Sequence, residues 1–220
     1  DIIAGGGRVL AIYPLKALAR QQEQRWRDAV SSVGLSARVA RLDGDVSATD
    51  RSLIVHDSAV LIATPDILHA WLLPHLGDAH VRNYLSNLRL VVVDEVHNYT
   101  GVFGSNAAFL FRRLQHAQNL LGNTAVRYLC TSATIADPVK HLGLLFGKHF
   151  HIVGPEYDSS HRHRLMIYLV EPPASLDLLT ALTDFLSHLA SRSDERFIAF
   201  VDSRRQTEVM TAILDRERNK

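Results

Sequence analysis

The chain has 220 residues, 47% of them apolar and 21% charged, with a formal net charge of +1. These are values of an ordinary globular protein, and no apolar run approaches the length that crosses a bilayer. A chain so close to neutral meets a nucleic acid, if it meets one, through a local basic surface rather than an overall positive charge.

The one cysteine, Cys130, has no partner for an internal disulfide, which fits a reducing cytoplasm. The sequence opens on Asp1 with neither a methionine nor a charged, apolar and cleavable leader, and reads as the interior of a longer protein. Short β-branched or leucine-rich runs predict strands at 8–13, 37–42, 59–63, 88–93, 125–130 and 149–153. Helical patterns fill the intervals at 15–31, 48–56, 67–73, 80–85, 105–121 and 138–146. In the first of these, Leu15, Leu18, Gln22, Trp26 and Val30 recur at helical spacing. Ser105 is the expected N-cap of the fifth and Gly122-Asn123 its stop, while Asp137-Pro138 opens the sixth as N-cap and first helical residue. Strand alternating with helix predicts an α/β fold, a parallel sheet with helices on both faces. The unbroken run Leu90-Val91-Val92-Val93 suits a strand covered on both sides. After Gly154-Pro155 a polar connector leads to a predicted strand at 165–170, a helix at 176–189, a strand at 197–201 and a last helix at 206–216. The expected domains are 1–154 and 155–220, the second only the beginning of another α/β unit.

Ligands of an open parallel sheet bind outside the carboxyl ends of its strands. Those ends carry, in order, residues 14–18, Asp43-Gly44-Asp45, Thr64-Pro65-Asp66, Asp94-Glu95-Val96-His97 and Thr131-Ser132-Ala133-Thr134. Turn chemistry accounts equally well for Asp43-Gly44-Asp45 and Thr64-Pro65-Asp66, since turns need Gly, Pro and Asp. Ser132 and Thr134 also suit the satisfaction of backbone groups. The acid pair is different: adjacent carboxylates at the end of a buried strand repel and lose hydration unless a cation or solvent compensates. A magnesium-nucleotide site is one structure built that way.

Asp94-Glu95-Val96-His97 resembles the Walker B DExH box of superfamily 2 helicases, and Ser132-Ala133-Thr134 resembles their motif III. Residues 14–18 are similar to motif Ia, Thr64-Pro65-Asp66 to motif Ib and 197–208 to motif IV. The longer segment 94–114 resembles a RecQ-related group of DNA-repair helicases that includes the bacterial mitomycin-repair type. The resemblance implies a RecA-like first motor domain lacking its P-loop strand, followed by the start of a second. It implies an ATP-dependent DNA helicase or translocase moving 3′ to 5′, with ATP and magnesium as cofactors. Its partner would be single-stranded or tailed DNA, with no membrane. By the same resemblance Asp94 binds magnesium mainly through water, Glu95 activates the attacking water, and His97 links the nucleotide site to Ser132, Ala133 and Thr134. Pro14, Lys16, Thr64, Pro65 and Asp66, joined by Ser203 and Arg204, hold one strand by its phosphates. The family's glycine-rich loop ending in Lys-Ser/Thr is missing: Gly5-Gly6-Gly7 lacks the lysine and precedes a strand. The expectation is a fragment covering motifs Ia to IV, inactive by itself. A non-catalytic nucleic-acid-binding remnant and an RNA helicase of the same superfamily are the alternatives.

Other residues have plainer readings. Glu23 shares a helix face with Lys16, Arg20 and Arg27, so a charge ladder accounts for the two arginines. The His149/His151 and His161/His163 pairs lack further ligands and read as solvated segments rather than zinc sites. Arg112 and Arg113 read as a solvated helix face, Trp26 and Trp71 as core, and Cys130 as packing. Tyr99 and Phe103 either contact a base or anchor their loop; the sequence leaves both open.

Overall fold

A computed structural model describes residues 1–157, 159, 167–172, 174–192 and 198–218. It divides into two units, Asp1–Asp158 and Ser159–Lys220. In the first, strands β1 (Arg8–Ile12), β2 (Val39–Leu42), β3 (Val60–Ala63), β4 (Leu88–Val93) and β5 (Arg127–Cys130) form one sheet. Their order is β2-β3-β1-β4-β5 and every pairing is parallel. All five carboxyl ends therefore lie along one edge.

Period-two alternation divides the apolar residues between two buried clusters. Leu10, Ile12, Leu61, Ala63, Val91 and Val93 point to one face, and Val9, Ala11, Val60, Ile62 and Val92 to the other. Arg89 interrupts the register: Arg8 pairs with Leu88 but Val9 with Leu90. This bulge sends Leu88 and Leu90, two residues apart, to opposite faces. Helix α1 (Lys16–Ser32) covers the second face with Ala19, Val30 and Trp26. The first face is covered by α2 (Ala48–Asp57), α4 (Ala79–Ser86), α5 (Gly101–Leu120) and α6 (Pro138–Phe146). The predicted parallel sheet with helices on both faces is present.

Several local expectations change. Gly6 donates to the Ile3 carbonyl at 3.0 Å and Gly7 to the Ile2 carbonyl at 2.9 Å, with Gly6 at a φ of 77°. That pair of bonds is a Schellman-type closure of a single turn, so the three glycines end a turn that leads directly into β1. Leu15, expected in the apolar stripe, is 65% exposed at the N-cap of α1. The third predicted helix is a short α3 (Pro65–Ile67) that widens into a π-helical turn, Leu68–Leu72. Helix α5 begins four residues before Ser105, whose hydroxyl donates to the Gly101 carbonyl instead of capping. Residues 149–153 form no strand; Phe150 and Ile152 alternate inward against the core without joining the ladder.

In the second unit, α7 (Leu178–Arg192) and α8 (Arg204–Arg218) pack on each other. Asp177 accepts from the backbone N–H groups of Leu179 and Thr180 at the start of α7. Residues 167–170 and 198–201 are not in strands; the remaining positions of those two predicted strands, and His161 and His163, lie outside the described residues.

Candidate nucleotide and nucleic-acid site

The ends of β4 and β5 hold the expected acids together. Thr131 Oγ1 donates to Asp94 Oδ1, which also accepts the Glu95 N–H at 2.9 Å. Both of these bonds fall on the one oxygen, and among the described residues Oδ2 remains available to a ligand. Among the described residues no group of three or more His, Cys, Asp or Glu gathers to cage a metal. A single free carboxylate oxygen suits magnesium, which keeps several waters and shares its shell with nucleotide phosphates.

Glu95 is the only non-glycine residue at positive φ among the described residues, with φ 54° and ψ 45°. Left-handed backbone is costly for a residue with a Cβ. It breaks strand alternation and turns the carboxylate toward His97, whose Nδ1 lies 3.2 Å from Glu95 Oε2. The same Nδ1 lies 3.3 Å from Ser132 Oγ and 3.3 Å from the Ala133 N–H. One ring nitrogen cannot satisfy all three. Carrying a proton it donates to Glu95 or Ser132, and without one it accepts from Ala133 and Ser132. Glu95 can therefore be served only when Nδ1 carries a proton, and the Ala133 N–H only when it does not. Thr134, the last residue of that motif, is exposed and makes no bond to His97.

The loop between is fastened from below. His141 of α6 bonds the Val96 carbonyl through Nε2 at 2.8 Å, and the Val96 N–H donates to the Thr131 carbonyl at 3.0 Å. Tyr99 is 2% exposed and stacks on Phe103 at 5.1 Å, which makes Tyr99 the anchor and leaves Phe103 at the surface. Its hydroxyl is buried without a hydrogen-bond partner among the described residues. Burial first, and then the nearby Asp94 charge, push the Tyr99 phenol well above its ordinary pKa.

The remaining predicted contacts are dispersed. Pro14 follows β1, and Lys16 opens α1 with its ammonium 3.4 Å from Asp45 Oδ1. Arg20 reaches the other Asp45 oxygen at 2.7 Å, so it leaves the ladder that Arg27 and Glu23 do form. The Lys16 hydrogen bond and charge, with Arg20 beside it, hold the Asp45 carboxyl below the usual carboxylate range. Thr64 and Pro65 are buried, which leaves Asp66 as the exposed member of its motif. In the second unit Ser203 accepts the Gln206 N–H at 3.2 Å and Arg204 begins α8.

The sequence reading missed the fastening by His141, the Lys16–Asp45 contact and the place of Thr131. Asp137-Pro138 put His141 one turn into a helix, but nothing local reported its reach to Val96.

The model of the DEAD/DEAH box helicase family matches residues 2–142. The uncharacterized ATP-dependent helicase YprA of Bacillus subtilis is 33% identical over 92% of this chain and 27% of its own length. The ATP-dependent helicase hrq1 of Schizosaccharomyces pombe is 34% identical over 62% of this chain and 13% of its own. The solved structure of the DUF1998 helicase MrfA bound to DNA and AMPPNP matches with a TM-score of 0.83 and 28% identity. That match covers 96% of this chain and 29% of MrfA. The chain thus spans less than a third of the length of each of these relatives.

Proposed function

The chain belongs to the DEAD/DEAH box helicase family, and we propose that it forms part of the motor core of an ATP-dependent DNA helicase moving 3′ to 5′ in DNA repair. The observation that carries this reading is the shared Nδ1 of His97, within 3.3 Å of the acid-bearing loop and of the Ser132-Ala133 loop alike. Relatives described as ATP-dependent helicases, and one bound to DNA and AMPPNP, support ATP as the fuel and DNA as the track. Residues 1–154 would be the first RecA-like domain and 155–220 the start of the second.

In this reading Asp94 would hold magnesium, mainly through water, and the bound ion would supply charge compensation for the nucleotide phosphates. Glu95 orients the attacking water and takes its proton. His97 passes the change at Glu95 to Ser132 and Ala133. Lys16, with the backbone around Pro14, Thr64 and Pro65, holds phosphates without reading sequence; strand binding then competes with Asp45 for Lys16. Ser203 and Arg204, in the second unit, would likewise hold phosphates.

The test is Glu95→Gln in the full-length protein. It should abolish DNA-stimulated ATP hydrolysis while nucleotide binding is retained. Turnover at the unaltered rate would remove Glu95 from the reaction.

A further inference from the structure

Beside Thr64-Pro65-Asp66, a cleft of about 360 Å³ runs between α5 and the segment 65–69 that leads into the π-helical turn. Its lining combines aromatic and polar groups. Phe103 is 39% and Phe109 66% exposed, Arg113 bonds His69 Nδ1 at 2.8 Å, and Asp66 and Asn106 add polar edges. The sequence alone suggested only a solvated face for Arg113.

The chemistry of the lining narrows the occupant. The exposed Asp66 carboxylate disfavours phosphate at its own edge of the cleft, a different role from the phosphate contact that the resemblance implied for it. Asp and Asn do match the amino and carbonyl groups on base edges. Aromatic faces and a planar guanidinium stack on any base, whatever its identity. With Nδ1 accepting from Arg113, His69 keeps its Nε2–H as a further donor. Pro65 and Asp66 belong both to the cleft and to the strand-end motif, which makes the two surfaces continuous. We propose that this cleft receives an unstacked base of the single strand whose phosphates the neighbouring motif holds. The inference rests on the motor reading above. Because Phe103 stacks on buried Tyr99, a base seated there bears on the segment that carries Glu95 and His97.

The experiment compares two oligomers of equal length on the full-length protein at fixed salt: oligothymidylate, and a deoxyribose-phosphate chain without bases. Binding is read by fluorescence anisotropy. Phe103→Ala and Arg113→Ala should each weaken oligothymidylate binding about tenfold or more and leave the base-free oligomer unchanged. Phe103→Trp should restore the loss. Arg113 is exposed and outside the Tyr99 stack, so its substitution separates loss of the cleft from disturbance of the loop. Unchanged oligothymidylate binding by either alanine variant, or equal loss on both oligomers, overturns the cleft as a base site. DNA stimulation of ATP hydrolysis by the unaltered protein is measured alongside. Its absence overturns the motor reading, whereas a stimulated protein indifferent to both substitutions overturns the cleft alone.

Discussion

Glu95 and His97 face each other across the end of β4, Oε2 to Nδ1 at 3.2 Å, while that nitrogen also meets Ser132 and Ala133. An imidazole at such a junction can hand its single bonding capacity from one loop to the other. His97→Ala should leave nucleotide binding intact and reduce DNA-stimulated hydrolysis about tenfold, the scale of one lost catalytic hydrogen bond. His97→Gln, with separate donor and acceptor atoms, should recover part of it. The measurement is the ratio of ATPase rates with and without single-stranded DNA. An unaltered ratio in His97→Ala removes the coupling role.

The left-handed backbone of Glu95 leads to an opposite expectation for stability. Glycine accepts φ 54° without a Cβ penalty. Glu95→Gly should therefore raise unfolding stability by about 1 kcal/mol after the entropy of the freer unfolded chain is subtracted. It should do so while eliminating turnover. Glu95→Gln keeps the Cβ and should not change stability. Urea denaturation of the two variants separates strain held for function from the chemistry of the carboxylate.

The sheet was legible because β1, β3 and β4 are buried on both faces and so read as continuous apolar runs. The acid pair, His97 and Ser132 were legible because strand ends concentrate ligand-binding groups. What escaped was long-range. His141 meets Val96 across 45 residues and Lys16 meets Asp45 across 29; neither contact has a local periodicity. The Arg89 bulge is likewise invisible in composition, since Leu88 and Leu90 look alike until the register is known. Residues 149–153 show the complementary failure: period-two burial is present, but no local signal says whether a ladder partner exists.

Gly104 illustrates a glycine set by packing rather than by φ. A Cβ there would stand 2.6 Å from the Tyr99 carbonyl carbon and closer still to its oxygen, and both atoms are backbone. Gly104→Ala should destabilise the fold by about 2–3 kcal/mol, at the upper range for overpacking. It should also displace the start of α5 from the Tyr99 anchor. Gly143, in α6 with nothing near its missing Cβ, gives the control of opposite sign: Gly143→Ala should stabilise by about 0.5–1 kcal/mol. Thermal unfolding of the pair checks both, and equal effects would refute the packing argument.

Cys130 closes β5 beside the acid loop, and burial pushes its thiol up to about 12. Against an ordinary thiol near 8.5, its thiolate fraction at pH 8 falls by about a thousandfold. Alkylation by iodoacetamide at that pH should be slow in the folded protein and fast in urea. The sign of the linked stability follows from the raised pKa. The neutral thiol is favoured by folding, so its contribution is complete below the unfolded value and is lost as pH rises toward about 12. Cys130→Val has no proton to lose and should flatten that alkaline part of the stability profile. Native alkylation as fast as in urea would show instead that β5, the last strand in the sheet order among the described residues, opens readily.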